Sequence, residues 1–490
     1  MICIPITSSS MEQALADIAL AQPCADYIEL RLDLIADFDL PKLLSAAGKP
    51  CIVTNRCKID GGQFKGSEEE RVQSLRDAID LGADFIDIET TTVSPLLRSV
   101  LEAPRQKSKI ILSHHDFTGT PNDIVPLYEI MRQTPADILK IVTYARDIND
   151  NIILFQLLEK AKEDGQAIIA LCMGEKGEVS RILSPLMGGF LTFGSLEKGK
   201  ESAPGQIPAS TLRNIYRAHE ARPGEKIYGV IGDPVAKSMG YLVHNRAFAK
   251  SGLPHIYVPF HVTNVEKFFQ EFKKYFAGLS VTMPHKESVM RLMGKIEPTA
   301  EAIGAVNTVV MENGVWVGHN TDCVGALKAL EAHGSLKGKN VLIIGAGGTA
   351  KAIGHGVISK GAALTVTYHR DKAKGEKLAA DLRCGLVNIR QPGDAKIDIL
   401  INCSPAGMSP NISETPFPAR LLKKETLVFD SVYNPMETRL IKEARSAGCA
   451  TISGVELFVN QAAAQFELWT GQKAPIEEMR EVVVNKLAEN

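Results

Sequence analysis

Lys140 stands inside the apolar run Ile138-Leu-Lys-Ile-Val-Thr143, where an isolated ammonium is costly to bury. Burial disfavours the charged form of an amine and frees a lone pair able to form a Schiff base with a ketone. A plainer reading leaves the stem of Lys140 in the core and its head in water at the rim. Ser113-His-His115-Asp-Phe117 closes the preceding apolar run, so a side chain suited to moving protons near neutral pH falls beside Lys140. Three arginines at or near the ends of such runs, Arg31, Arg56 and Arg181, suit an anionic ligand, with surface solvation as the alternative.

A second chemistry is carried by Asn340-Val-Leu-Ile-Ile-Gly345-Ala-Gly347-Gly348-Thr349-Ala350, which reads as strand, glycine turn and helix. Gly345 permits the tight turn, Gly347 lets the backbone approach a pyrophosphate, and the helix start presents N–H donors. The strand at 364–368 ends in His369-Arg370, with Lys372 and Lys374 behind it. An acid at that strand end would hold the ribose 2′-hydroxyl of NAD, whereas Arg370 forks onto a 2′-phosphate. NADP is therefore favoured over NAD; Asp371, able to hold a ribose hydroxyl, is the opposing feature.

These residues need a scaffold, and the pattern of apolar runs supplies one. Short runs at 2–6, 27–32, 51–55, 85–88, 110–112, 138–143, 168–172 and 190–193 alternate with helical stretches such as 67–81 and 152–161. Eight β-then-α units within residues 1–220 predict a (β/α)8 barrel, whose chemistry sits at the C-terminal strand ends. After the linker Ala221-Arg-Pro-Gly-Glu225, a second α/β block begins near Lys226 with strands at 227–231, 257–260 and 279–282. A third begins near Lys339, with strands at 341–344, 364–367, 399–402 and 428–430.

The 490 residues are too many for one ordinary core. A net charge of −2 favours neither nucleic acid nor membrane, although the first 220 residues carry about −8 and the rest about +6. Nine scattered cysteines without paired spacing point to a reducing compartment and to no metal site. The opening MICIPIT lacks the pattern of a leader, and no apolar run is long enough to span a bilayer, so a cytoplasmic location is expected.

From 226 to the end, VTMPHK (281–286), GAVNT (304–308), NTD (320–322), GAGGTA (345–350) and NQAAAQF (460–466) occur together. In this combination the chain resembles shikimate dehydrogenase. The resemblance implies a catalytic pair, Lys286 and Asp322, and a substrate-binding set of Ser238, Thr282, Asn307, Tyr433 and Gln461. It implies NADP on Gly345, Gly347, Gly348, Thr349, Ala350, His369, Arg370 and Lys374. The chemistry agrees, because hydride transfer to a ketone builds negative charge that an ammonium stabilises and protonates. An ordinary surface salt bridge is the plainer fate of such a pair. One departure stands out: the family's S-K-S run carries a second serine where this chain has Ser238-Met-Gly240, which leaves shikimate against quinate open.

The first 220 residues resemble type I dehydroquinate dehydratase through Glu29-Leu-Arg31, Arg56, His115, Lys140, Arg181 and Ser202-Ala-Pro-Gly-Gln206. The resemblance implies an imine on Lys140 that acts as an electron sink, with His115 moving the protons. Arg181, Ser202 and Gln206 would clamp a carboxylate, and Glu29, Arg31 and Arg56 would position hydroxyls. The family's glutamate four residues after the matching arginine is replaced by Asp60, one methylene shorter. It keeps its task of orienting the histidine if the loop moves in by about 1.5 Å, and otherwise a water bridges and the rate drops.

The two implied reactions are consecutive. The expected division is a barrel at 1–220, a shikimate-binding domain at 226–330 completed by 456–490, and a Rossmann-like NADP domain at 331–455. The expected ligands are 3-dehydroquinate, 3-dehydroshikimate, shikimate and NADPH, with no nucleic acid, membrane or obligate protein partner. Two alternatives stand beside this reading: a quinate/shikimate dehydrogenase with a slow or inactive barrel, and a non-catalytic ligand-sensing regulator. Arg370→Ala is expected to weaken NADPH binding far more than NADH binding; equal losses for the two nucleotides, measured by fluorescence titration, would remove the 2′-phosphate assignment.

Overall fold

Phe85-Ile-Asp87-Ile-Glu89 alternates apolar and acidic residues with every position buried, as expected of a strand covered on both faces. The computed structural model describes residues 1–489 except 106, 223, 236–237, 369–370 and 390–395. It divides into two units, Met1–Lys226 with Gln270–Lys274, and Ile227–Phe269 with Tyr275–Asn490.

In the first unit, strands β1 (Ile2–Ile6), β2 (Tyr27–Arg31), β3 (Cys51–Thr54), β4 (Phe85–Glu89), β5 (Lys109–His115), β6 (Ile138–Tyr144), β7 (Ile168–Met173) and β8 (Thr192–Ser195) occupy the eight predicted places. A two-residue stub, β9 (Ile207–Pro208), was not predicted. They form one curled parallel sheet in the order β7-β6-β5-β4-β3-β2-β1-β8-β9. Its ends meet where the N–H of Phe190 donates to the carbonyl of Ile168 at 2.8 Å. The N-terminal end of the interior is plugged by Cys3, Ile52, Phe85, Ile111, Ile138, Ile169 and Phe193. One layer higher the interior turns polar, with Glu29, Thr54, Asp87, Ser113 and Lys140 all buried. The apolar plug thus forms a floor, and the polar layer opens toward the C-terminal strand ends.

The helix predicted at 67–81 spans Glu68–Asp80 and starts with a capping box between Ser67 and Glu70. The one predicted at 152–161 spans Asp150–Glu163.

The second unit holds two sheets. The first has the order β11-β10-β12-β14-β15-β13, from β10 (Lys226–Gly232), β11 (His255–His261), β12 (Gly278–Val281), β13 (Lys295–Ile296), β14 (Thr308–Glu312) and β15 (Val315–His319). The hairpin β14–β15 escaped the sequence reading. Its signal was Asn313-Gly314, which forms a two-residue turn with φ of 51° and 81°. The second sheet has the order β18-β17-β16-β19-β20-β21, from β16 (Asn340–Ile344), β17 (Ala363–Tyr368), β18 (Gly385–Asn388), β19 (Ile399–Asn402), β20 (Leu427–Asp430) and β21 (Ala450–Ile452). Its strands pair in parallel, and the order reverses between β16 and β19, which opens a crevice at the strand ends there. Helix Gly454–Thr470 returns to the first sheet, where the Trp469 indole N–H donates to the Val309 carbonyl at 3.1 Å.

Candidate active sites

Lys140 lies at the centre of β6 opposite Ser113 of β5. Its side chain is only 6% exposed, so its head does not stand in open water at the rim. Nor are its surroundings the apolar ones that the run of sequence suggests. Lys140 Nζ donates to Asp87 Oδ2 at 2.8 Å, lies 3.8 Å from Glu29 Oε1, and sits 4.4 Å from the centroid of the Phe193 ring. Arg56 Nη1 reaches Asp87 Oδ1 at 2.9 Å and Glu89 Oε1 at 3.0 Å, and Arg71 Nη1 reaches Glu89 Oε2 at 2.8 Å. Asp87, Arg71 and Phe193 were not singled out from the sequence. The period-two pattern of β4 was the signal, since it points both acids the same way as Phe85, into the barrel.

A narrow cavity opens above Lys140, and Glu29, Arg31, Arg56, Asp60, His115, Arg181, Ser202 and Gln206 all line it. The sequence reading grouped three arginines as seats for an anion, and the structure separates them. Arg31 is locked to Asp33 by two bonds of 2.9 and 2.8 Å, and Arg56 is neutralised by Asp87 and Glu89. Arg181 is buried, donates from Nη2 only to the Pro204 carbonyl at 3.2 Å, and its Nε has no acceptor. Burial pushes its guanidinium down to about 10. Ser202 and Gln206, bonded to each other at 2.9 Å, frame the loop that holds Pro204.

Asp60 faces His115, but its Oδ1 stops 3.6 Å from Nδ1, beyond an ordinary hydrogen bond. Its other oxygen accepts from Thr91 Oγ1 at 2.5 Å and from Cys57 Sγ at 3.2 Å. Burial raises the Asp60 carboxyl, and His115, Thr91 and Cys57 outweigh it, leaving it near 2. Burial, reinforced by Arg56, lowers the His115 imidazole to about 3 despite Asp60.

In the second unit, Lys286 follows β12, and Asp322 lies in the first turn of helix Thr321–Glu331, where a carboxylate is favoured. Their side chains meet at 2.5 Å and are 19% and 12% exposed, so this is not an open surface pair. The motifs are stitched through backbone. Val306 N–H donates to the Lys286 carbonyl at 2.8 Å, and Thr321 N–H donates to Asn307 Oδ1 at 2.7 Å. Behind them, Gln465 donates to Thr308 Oγ1 at 3.0 Å and accepts from Ser280 Oγ at 2.9 Å, a buried network the sequence reading did not find.

Lys286 borders a cleft of about 930 Å³, also lined by Ser238, Thr282, Tyr433, Gly345, Gly347, Gly348, Thr349 and Lys374. Asn307 and Gln461 are not among its lining residues; the oxygen of Asn307 is occupied by Thr321, and Gln461 donates to the Phe458 carbonyl at 3.0 Å. Ala350 is buried in the helix Gly348–Ser359. Gly345 has φ of 108°, and a Cβ there would come within 2.9 Å of the Cys403 backbone. Beside Gly347 the space is open, so the helix start faces the cleft. Asp371 lines the cleft and also caps helix Lys372–Asp381, its Oδ1 accepting from the Lys374 N–H at 3.0 Å. His369 and Arg370 lie outside the described residues. Among the described residues no cluster of metal-ligating side chains occurs, and no helix is long and apolar enough to cross a membrane.

Residues 2–223 match the type I 3-dehydroquinase family, residues 230–309 the shikimate dehydrogenase substrate binding domain, and residues 454–484 the shikimate 5′-dehydrogenase C-terminal domain. The chain is 38% identical to the chloroplastic bifunctional 3-dehydroquinate dehydratase/shikimate dehydrogenase of Arabidopsis thaliana, over 97% of this chain and 83% of that protein. It is 31% identical to the shikimate biosynthesis protein AroDE of Chlamydia pneumoniae, over 96% of this chain and 95% of that protein. A crystal structure of shikimate dehydrogenase in complex with NADP+ superimposes with a TM-score of 0.52 at 36% identity, over 54% of this chain and 96% of that one. Side chains gathered in a barrel and beside a Rossmann-type crevice agree with these likenesses, and the chain belongs to the family of bifunctional 3-dehydroquinate dehydratase/shikimate dehydrogenases.

Proposed function

We propose that the barrel dehydrates 3-dehydroquinate to 3-dehydroshikimate through an imine on Lys140, and that the second unit reduces 3-dehydroshikimate to shikimate with NADPH. The observation that carries the reading is a buried lysine opening onto the same cavity as a histidine and an unpaired arginine. In this reading residues 1–220 form the dehydratase, 226–330 with 456–490 bind shikimate, and 331–455 bind NADP. The chain works in the cytoplasm on small molecules and without an obligate partner.

In the barrel, the Lys140 amine adds to the substrate ketone, and the resulting iminium accepts the electrons released when His115 removes the adjacent proton. The same imidazole then protonates the departing hydroxyl. A buried guanidinium with no carboxylate bonded to it suits the substrate's own carboxylate, so Arg181 takes it, with Ser202 and Gln206 beside it. Glu29, Arg31 and Arg56 position hydroxyls. Asp60 steadies His115 from 3.6 Å, a spacing that a small inward shift of the loop closes.

In the second unit, NADPH supplies the hydride. The open space beside Gly347, the helix start at Gly348 and the turn at Gly345 fit a dinucleotide pyrophosphate. Thr349, Ala350 and Lys374, with His369 and Arg370, complete its seat. The Lys286 ammonium stabilises the charge growing on the ketone oxygen and delivers a proton to it, while Asp322 holds that ammonium in place. Ser238, Thr282 and Tyr433 hold the substrate, with Asn307 and Gln461 behind them.

A second reading concerns specificity. At Gly240 a Cβ would lie 3.0 Å from the Tyr257 hydroxyl, so that position offers no side-chain hydroxyl to a substrate carboxylate. Quinate is then accepted beside shikimate. Comparable kcat/KM for the two alcohols would support this, and a preference for shikimate above about 10³-fold would exclude it.

Two further measurements test the main reading. Lys140→Ala is expected to abolish the enone absorbance formed from 3-dehydroquinate without nucleotide, together with borohydride trapping, while leaving the reductase intact. Full-rate dehydration by that variant would exclude the imine. The acid limb of the dehydratase supplies the second test. Because the His115 pKa is lowered to about 3, the neutral base persists as pH falls through 6.5 and is lost only toward pH 3. The kcat/KM profile should therefore stay flat through pH 6.5; an acid limb centred there would show that His115 titrates normally.

A further inference from the structure

Asp87 has no part in the steps above, yet it is the group closest to the reacting nitrogen. It is fully buried on β4 and is not among the residues lining the cavity. Three donors meet its two oxygens: Lys140 Nζ at 2.8 Å on Oδ2, and Arg56 Nη1 at 2.9 Å with Ser113 Oγ at 2.7 Å on Oδ1. Glu29, the other acid near Lys140, is 3.8 Å away, and its Oε1 accepts from Thr54. We infer that Asp87 is a positioning residue that supplies a fixed counter-charge to the Lys140 nitrogen through the whole dehydration. The inference rests on the imine reading.

The charge balance of the reaction supports it. A lysine ammonium and a ketone give an iminium and water: the C–N double bond forms, the C–O bonds break, and the departing oxygen carries off two of the three ammonium protons. The nitrogen begins and ends with one positive charge and keeps one N–H. When His115 takes the adjacent proton, the C–H electron pair moves onto the C=N unit, the nitrogen becomes neutral, and the charge passes to the imidazole. Loss of the hydroxyl as water, using that proton, restores the iminium, and water addition returns the ammonium. One immobile carboxylate therefore serves the ammonium, both iminium states and the retained N–H, with no rearrangement of buried charge. Asp87 is suited to be that carboxylate and not a base. Burial raises its carboxyl, but Arg56 and Lys140 together hold it well below the usual carboxylate range.

The test compares the full-length wild type with Asp87→Asn and Asp87→Glu. Each is assayed for dehydratase kcat and KM, for the rate at which cyanoborohydride fixes substrate on Lys140, and for reductase activity. Cyanoborohydride reduces the iminium and spares a neutral imine, so it reads the charge state that Asp87 is inferred to hold. For Asp87→Asn, kcat should fall about 100-fold, with KM within about threefold, trapping slowed in parallel and the reductase unchanged. Asp87→Glu keeps the charge and should recover at least about tenfold of the loss in both readouts. An Asn variant within threefold of wild-type kcat, one that loses kcat with trapping unchanged, or a Glu variant no better than Asn would overturn the inference. If the Asn barrel does not fold, the Glu variant decides. Trapping within about tenfold of wild type supports the counter-charge, and a folded Glu variant that traps nothing excludes it. Absence of trapping on wild-type Lys140 would instead remove the imine reading itself, and the inference with it.

Discussion

A charge taken out of water needs an opposite charge beside it, and the barrel meets that requirement with one row of alternating sign. Lys140 pairs with Asp87, Asp87 with Arg56, Arg56 with Glu89, Glu89 with Arg71, and Arg71 with Glu68, each within 3.0 Å. The row links β6, β4, the segment after β3 and the helix Glu68–Asp80. Each inner member has two partners, so removing one leaves its neighbours buried with part of their pairing lost, which destabilises the row. The direction of the Lys140 side chain is thus set by a network that runs far beyond it. The floor of apolar side chains below excludes water, and that makes the pairing obligatory.

Against this background the exceptions carry the information. Arg181 is a buried cation that the network does not reach, and its Nε is left without an acceptor. A protein seldom leaves such a group unsatisfied unless a ligand completes it. The Nδ1 of His115 is likewise unpaired, 3.6 Å from Asp60. Both residues line the cavity above Lys140.

The second unit solves its positioning problem with backbone. Lys286 and Asp322 come from segments 36 residues apart and are brought to 2.5 Å because the 304–308 segment bonds to both neighbourhoods. The pair needs less insulation than Lys140, since it keeps its charges at the edge of an open cleft. The glycine turn reaches the same cleft because the sheet order reverses between β16 and β19, not because its sequence adjoins that of Lys286.

Local pattern determined much of this protein. All eight barrel strands, the glycine turn and the places of Lys140 and Lys286 were legible, because burial periodicity and motif spacing are properties of neighbouring residues. The Asn313-Gly314 hairpin was equally local and could have been read. Other features were not legible from spacing alone. Asp87 reads as one acid in an alternating strand until the barrel curls and sets it against a lysine 53 residues away. The three arginines look equivalent in sequence, and only the folded chain gives Arg31 and Arg56 bonded carboxylates, sets Arg181 in the helix Glu178–Leu183, and leaves its Nε without an acceptor. That Asp371 caps a helix while it lines the cleft is likewise set by the fold. In each case the deciding quantity is a distance between groups remote in the chain, and electrostatic partnership follows distance in space, which only the tertiary structure sets.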